Sequence, residues 1–564
     1  MMPGCRWRRL EWGAAGLLGL AAVWAHGLRL AHAGGLWRDE AGAVRLALMP
    51  GLRDVFRLFP HEAFPLAVPL AIRLYARVAG DGDLALRGFG LAVGLALTAA
   101  LFMAARASGR TQPLLSLALV AGNAPCVVFG DSLRGYGLGC CFILLYFAAL
   151  ARLLARPGPW PVTAALAAAL GAVHSLLGNA ALVAALCAAA AIAALRRGRP
   201  RLALAALGTG LAAGVSLLPY QVPLHAARSW NDVVVYRTGL AHIVRVLWAT
   251  LDPAAWAWLA LLAAALVAAF RPRPRPAGAG PPAAGPADPR EPPSAASGPA
   301  APADLPTDDL RWFLGLALVL GIAAHLLFLY VLGYTPRAWY DLPLLALVAA
   351  AIEPLVASLC VAPLARAARI AAALALAAVL LAANLPRLRM RMTNADLVAR
   401  RLAAAASAGD LVLVSPWYLG ISFDRYYRGP ASFSTVPYLR DHRMHRYDLL
   451  RRQLAAPHPI DDLLASAGRT LRAGHRVWVV GELRLPPPGQ APVVLPPAPA
   501  TAWGWNDFPY GISWSLQLGA LLRDHAASLR IVPVPADDPV SPLETMVLAA
   551  AEGWRAAAPS QGSR

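Results

Sequence analysis

Long apolar runs, each of about 20 residues, recur along this 564-residue chain and limit what it can fold into. A bilayer core is about 30 Å thick, so a helix rising about 1.5 Å per residue needs about 20 apolar residues to cross it. Charged residues make up 15% of the chain, against about 25% in soluble domains. The sequence therefore predicts a polytopic helical membrane protein with about eleven spans, near residues 13–33, 86–105, 112–129, 137–152, 161–177, 178–195, 202–219, 245–270, 311–332, 341–361 and 369–386.

Positive charge lies mostly between the apolar runs. The formal net charge is +20, and the basic residues are all arginine. Short arginine-rich loops lie on the cytoplasmic side of membrane proteins, which predicts a cytoplasmic N-terminus and an uncleaved signal anchor as the first span. Arginine in such loops also argues against nucleic-acid binding and for contact with membrane lipids. The segments 34–85, 130–136, 220–244, 333–340 and everything after about residue 386 are then predicted to face outside.

Composition divides the chain into four predicted parts. Residues 1–270 form a first transmembrane half with outside loops, and 311–386 form the last spans. Between them, 271–310 is rich in Pro, Ala and Gly, which predicts a disordered cytoplasmic linker. In 387–564, polar helices alternate with apolar strands at 411–414 and 477–480, which predicts a small aqueous α/β domain.

Cysteine placement gives no sign of a disulfide framework or a zinc site. The six cysteines lie at or within apolar segments, and none has metal-type Cys/His spacing. They are interpreted as small packing residues.

The first outside loop carries the most informative acidic residues. Asp39 and Glu40 follow the first apolar run directly, and such a pair can supply a general base, a metal ligand or an anchor for a hydroxyl group. The alternative is a solvated helix N-terminus, where acidic side chains are favoured by the helix dipole. His61 and Glu62 follow in the same loop and could join these carboxylates in a site, although a prolyl turn before an interfacial helix explains them about as well. That helix is predicted for the amphipathic segment at 66–78, which is too short to span and could lie in the membrane interface.

Two later outside loops each place an arginine among acidic and aromatic residues. Asp131, Arg134 and Tyr136 fall within six residues, and Arg337 precedes Trp339. Arginine suits bidentate contact with phosphate, so these residues are candidates for binding a lipid phosphate. The alternative for the second loop is an internal salt bridge between Asp131 and Arg134.

In order, side and spacing, these motifs resemble the polytopic GT-C glycosyltransferases, especially bacterial relatives of the protein O-mannosyltransferases and the aminoarabinose transferase of lipid A. The resemblance rests on WRDE at 37–40, His61 with Pro65, the helix running from 73 to 87, DSLRGY at 131–136 and PRAWYDLP at 336–343. It covers about residues 10–390. The chain departs from better known relatives in its 271–308 segment and in having Asp131 where many carry Glu.

The resemblance implies an inverting transferase that moves a sugar from a polyprenyl-phosphate carrier to a lipid, glycan or protein acceptor. It implies that Asp39 is the general base, that Glu40 and Asp131 position the acceptor or a metal, and that Arg134, Arg337, Tyr136 and His61 contact phosphate or acceptor. A divalent metal is an open alternative, with Asp39 and Asp131 as its ligands. The implied location is a bacterial inner membrane, with the reaction on its outer face.

Two other functions are compatible with many spans. A transporter or flippase of a lipid-linked sugar predicts charge within the spans, yet the centres of the apolar runs are nearly free of Asp, Glu and Arg. A non-catalytic scaffold would bind a glycolipid or an envelope partner through 387–564. The carboxylates gathered at one membrane face favour the enzyme.

Overall fold

The computed structural model describes residues 3–62, 64–109, 111–234, 238–272 and 307–555. The first helices are α1 (Pro3–His32), α2 (Arg38–Ala47), α3 (Leu52–Glu62), α4 (Ala67–Ala79), α5 (Asp83–Ala107), α6 (Leu114–Ala121), α7 (Ala124–Gly130), α8 (Gly135–Ala155) and α9 (Pro159–Ser175). There follow α10 (Asn179–Leu195), α11 (Pro200–Val215), α12 (Gln221–Ala227), α13 (Leu240–Leu251), α14 (Ala255–Phe270), α15 (Asp308–Leu332), α16 (Leu342–Leu359) and α17 (Pro363–Leu388).

The predicted polytopic helical bundle is confirmed. Within the described residues, seven helices are long and apolar enough to cross a bilayer, and they are α1, α5, α8, α11 with its extension to Ala227, α15, α16 and α17. The bent pair α13 and α14, at 102° to each other, makes an eighth if it counts as one span. The segments predicted at 161–177 and 178–195 form the 17-residue helices α9 and α10.

Two predicted spans are broken at residues that interrupt a helix. The segment 112–129 forms α6 and α7, because the side chain of Asn123 caps α7 by accepting a hydrogen bond from the Cys126 N–H at 3.0 Å. The segment 245–270 bends between α13 and α14, where Pro253 lacks the N–H that a continuous helix needs. The interior of the bundle is one apolar cluster rich in Ala and Leu, with α8 and α16 the most deeply buried spans.

The first loop folds into the three short helices α2, α3 and α4, of which α4 corresponds to the amphipathic segment predicted at 66–78. α2 begins with Asp39 and Glu40 in its first turn, where carboxylates stabilise the positive end of the helix dipole. α3 buries Val55 and Phe59 on one face. α4 ends at Gly80, whose φ of 90° requires glycine.

The C-terminal region is an α/β domain, as predicted. Its helices are α18 (Ala395–Ala405), α19 (Gly420–Tyr426), α20 (Tyr447–Ala455), α21 (Asp461–Arg472) and α22 (Asp507–His525). Its strands are β1 (Leu411–Ser415), β2 (Ser432–Thr435), β3 (Val477–Gly481), β4 (Ala526–Ile531) and β5 (Val547–Trp554), in the order β2-β1-β3-β5-β4. β1, β2 and β3 are parallel, and β5 is antiparallel to both β3 and β4.

Alternating side chains bury both faces of this sheet. Leu413 and Val479 pack with α20, α21 and α22, whereas Val414 and Val480 pack with α18 and α19. Burial of both faces explains why the strands read as continuous apolar runs.

The sheet domain lies against the loop helices. Arg45 pairs with Asp424 at 2.6 Å, and Arg425 pairs with Asp83 at 2.7 Å. The predicted linker falls mainly on 273–306, outside the described residues.

Candidate active site

Asp39 lies where three of the loops predicted to face outside meet the sheet domain. Its side chain is 15% exposed, and three basic side chains surround the carboxylate. Arg38 Nε lies 3.7 Å and His445 Nε2 3.6 Å from Oδ1, and Arg134 Nη2 lies 3.8 Å from Oδ2. These separations are those of ion pairs, so the carboxylate keeps lone pairs for a ligand.

The charges around Asp39 set its protonation state. Burial alone would raise the pKa of the carboxyl, but Arg134, His445, Arg38 and Arg337 together hold the pKa below its usual range. Asp39 is therefore a carboxylate at neutral pH, the form in which it can accept a proton.

Arg134 occupies the position before α8 and connects the first two loops. Its Nη1 donates to the backbone oxygen of Asp39 and to Glu62 Oε2, each at 3.0 Å, and its guanidinium covers the Phe64 ring at 4.0 Å. Burial opposes its charge, yet Asp39, Tyr136 and Glu62 raise the pKa of Arg134. Its buried Nε has no hydrogen-bond partner among the described residues, which leaves a donor for an anion.

The loop between α15 and α16 supplies the third side of the site. Arg337 is exposed and lies 5.9 Å from the Trp339 ring. Tyr340 is close enough to Asp39 for that charge, together with burial, to raise the pKa of its phenol. The Tyr136 ring packs against Trp339 and Tyr340 at 6.3 Å and 6.5 Å. Four of the predicted site residues, Asp39, Arg134, Tyr136 and Arg337, therefore surround one site.

Glu40 points away from this site. It is completely buried, and Arg87 Nη1 donates to its Oε1 at 2.5 Å while the backbone N–H of Leu133 donates to the same oxygen at 3.2 Å. The role of Glu40 in positioning the acceptor stays a prediction. In the structure, Glu40 forms a buried ion pair with Arg87.

In the structure, Asp131 and His61 contact residues that the sequence analysis did not name as their partners. Asp131 pairs with His26 of α1 at 2.9 Å, while Arg134 pairs with Glu62 and Asp39, so the alternative salt bridge between Asp131 and Arg134 is not formed. His61 stacks on Trp230 with ring centroids 5.0 Å apart, and its Nε2 lies 3.9 Å from Asp448. Their predicted roles remain predictions.

Two residues without a predicted role complete the site. Glu62, which the sequence suggested could join the acidic residues of the first loop in a site but to which it gave no role, is fully buried between Arg134 and His445. His445 belongs to the segment between β2 and α20, and no pattern around it in the sequence indicates a site.

The predicted metal ligands belong to separate groups of side chains. Asp39 lies among Arg38, Arg134 and His445, whereas Asp131 pairs with His26. In the part of the chain that the structure describes, no group of three His, Cys, Asp or Glu side chains is arranged to hold a metal ion.

A cavity of about 420 Å³ adjoins the site at Tyr340. Its volume lies in the range of small-molecule sites, roughly 300–1,000 Å³. Its apolar lining includes Leu176, Leu182, Leu224, Phe328 and Leu332, and its polar lining includes Arg228, Asn231, His325, Tyr334 and Tyr340.

The chain is a polytopic helical bundle with three loop helices after the first span and a small C-terminal α/β domain. Among solved structures, it is similar to ArnT from Cupriavidus metallidurans bound to undecaprenyl phosphate, with a TM-score of 0.52 and 11% sequence identity over 95% of this chain and 98% of that one. At this identity the likeness concerns the fold. No protein-family model and no curated protein matches the sequence.

Proposed function

We propose that this protein is a membrane glycosyltransferase that uses a polyprenyl-phosphate sugar as donor, with Asp39 as general base. The observation that carries the proposal is an ionised carboxylate held among arginines beside an apolar cavity. In inverting transfer, the acceptor attacks the anomeric carbon that is bonded to the carrier phosphate. This step needs a base near the acceptor and cations near the departing phosphate.

The proposed chemistry assigns one task to each charged group. The acceptor attacks the anomeric carbon while Asp39 removes its proton, and the bond to the carrier phosphate breaks with its electron pair staying on the phosphate. Arg337 and the free Nε of Arg134 bind that phosphate. A phosphate paired with these arginines also offsets the positive charge that they place near Asp39. The pKa of Asp39 therefore rises when donor is bound, and the carboxylate becomes a stronger base.

The cavity at Tyr340 is proposed to hold the first prenyl units of the carrier. Its lining is mostly apolar and includes Tyr340, whose phenol is close enough to Asp39 and Arg134 to feel their charges. The fold neighbour was solved with undecaprenyl phosphate, which supports a carrier of this chemical class. The outer face of a bacterial inner membrane is the proposed location, with the N-terminus inside and the sheet domain outside.

The proposal is tested by supplying radiolabelled polyprenyl-phosphate sugars to the purified protein, with a membrane extract as acceptor. Transfer of label supports the enzyme and identifies the acceptor. If folded protein consumes none of the donors, the glycosyltransferase proposal fails; movement of intact donor across proteoliposomes would then indicate a flippase, and donor binding without movement a scaffold.

Arg337→Ala is expected to raise the Kd for undecaprenyl phosphate by about ten- to hundredfold, because a charge-assisted contact to phosphate contributes roughly 1.5–3 kcal/mol. The measurement is a binding titration in detergent. Arg53→Ala is the control, since Arg53 is also an exposed arginine of an outside loop. Equal losses in the two variants would mean that the effect is general electrostatics rather than a phosphate contact.

Leu224→Trp is expected to raise KM about tenfold for a long-chain donor, because the larger side chain occupies space in the cavity. A donor whose carrier has one or two prenyl units should be affected much less. Leu204→Trp is the control, since Leu204 is 69% exposed on α11. The same KM change for short and long carriers would contradict placement of the chain in this cavity.

A further inference from the structure

The C-terminal domain contributes one side chain to the surroundings of Asp39. His445 is only 7% exposed. Its Nε2 lies 3.6 Å from Asp39 Oδ1, although 406 positions separate the two residues in the numbering (445 − 39). The sheet domain and the first loop thus meet at the candidate base.

Glu62 fixes the orientation of His445. The backbone N–H of His445 donates to Glu62 Oε1 at 3.1 Å, and Nδ1 lies 3.1 Å from the same oxygen. A buried carboxylate accepts a hydrogen bond, so Nδ1 carries a proton and Nε2 is the nitrogen directed at Asp39.

The packing of the loop helices fixes Glu62 in turn. A methyl group at Gly42 of α2 would overlap the Glu62 carboxylate, so only glycine leaves room for it. Arg134 donates to the other oxygen of Glu62 at 3.0 Å. One buried carboxylate therefore holds both Arg134 and His445, two of the three basic side chains that lie around Asp39.

We propose that His445 is a positioning residue for Asp39, held in place by Glu62, and that the C-terminal domain is in this way part of the active site. In its doubly protonated form His445 directs an Nε2–H at Asp39 Oδ1, which orients the carboxylate and stabilises its ionised form together with Arg134. This inference rests on the proposed function for its effect on turnover, but the contact with Asp39 can be tested without a substrate.

Other titratable and charged groups face the same space. On the loop elements they are Arg38, Glu62, Arg134, Arg337, Tyr136 and Tyr340, and on the sheet domain Tyr447. A variant must therefore alter the group facing Asp39 without disturbing Glu62.

His445→Asn meets this requirement, because the asparagine amide can still donate to Glu62 but carries nothing in place of Nε2. The substrate-free test is labelling of Asp39 by a water-soluble carbodiimide, which reacts with the protonated carboxyl, followed by peptide mass spectrometry between pH 3 and 8. We expect the labelling midpoint to rise by about one pH unit in His445→Asn, as removal of a nearby positive or hydrogen-bonding group predicts. The control is His458→Gln, in an exposed histidine of the same domain, and it should leave the midpoint unchanged.

Turnover gives the second readout. In His445→Asn we expect kcat to fall about tenfold with little change in KM for the donor, and His445→Gln should recover part of the loss by restoring a donor toward Asp39. An unchanged labelling midpoint, or a kcat equal to that of His458→Gln, overturns the inference. If no donor is turned over by wild type while the midpoint still shifts, the proposed function fails and the positioning of Asp39 by His445 stands.

Discussion

Asp39→Asn is expected to lower kcat for sugar transfer by on the order of 10²–10⁴-fold, the range typical for loss of a general base. Asparagine has nearly the same shape, but its amide cannot accept the proton of the acceptor nucleophile. The rate with radiolabelled donor and the thermal melting profile should be measured on the same preparation. Donor binding should remain, because the phosphate is assigned to Arg134 and Arg337.

Asp54→Asn is the matched control, since Asp54 is an exposed aspartate in the same loop. Normal turnover by Asp39→Asn would rule out the assignment of the base.

The pH profile of activity gives a further check on Asp39. Burial opposes the charge of Asp39, but the neighbouring cations hold its pKa below the usual range, so activity should persist as the pH falls through the range where an ordinary aspartate protonates, and should be lost only below it.

Glu40→Ala is expected to destabilise the protein by roughly 3–5 kcal/mol, the cost of leaving one member of a buried ion pair uncompensated. The change leaves Arg87 without its carboxylate and the Leu133 N–H without its acceptor, in a region closed to solvent. Thermal melting in detergent should show a large drop in the midpoint. Arg77→Ala, in an exposed arginine of α4, should have almost no effect.

The double variant Glu40→Gln with Arg87→Met separates charge from packing. It removes both charges together, so it should melt closer to wild type than Glu40→Ala does. A fully stable Glu40→Ala protein that has lost turnover would contradict the structural reading and favour the predicted role in positioning the acceptor.

The contrast between Asp39 and Glu40 shows what the sequence could not resolve. Successive residues of a helix point about 100° apart, so one of the pair faces the site and the other faces the bundle. The sequence placed both at the first turn of a loop helix, but the direction of each depends on how α2 packs on its neighbours. Arg87, the partner of Glu40, lies on α5. The sequence placed it at the end of the helix from 73 to 87 and in the span at 86–105, and gave it no contact with the acidic pair.

The spans were predictable because hydropathy and length follow from the bilayer itself. Their interruptions were harder to read. The cap at Asn123 and the bend at Pro253 each fall inside an otherwise continuous apolar run. The apolar run at 178–195 yields a helix of 17 residues, whose burial among neighbouring helices is not visible in its composition.

His445 could not have been found from the sequence by the reasoning that found Asp39 and Arg134. Those residues border apolar runs, and their position at a membrane face signals function. His445 lies in an aqueous domain among ordinary polar residues, and its partner Glu62 is 383 positions away. Only the folded arrangement shows that the two are neighbours.

The contacts between the first loop and the sheet domain have a consequence for biosynthesis. The ribosome synthesises Asp83 and the segment around Asp39 early. It synthesises much later the residues that pair with them, which are Arg425, His445 and Glu544. Chains are synthesised from the N-terminus, and domains fold as they emerge. The candidate base therefore stays without its full set of neighbours throughout insertion of the helical bundle, and the site is completed only when the last part of the chain has been translated and has docked.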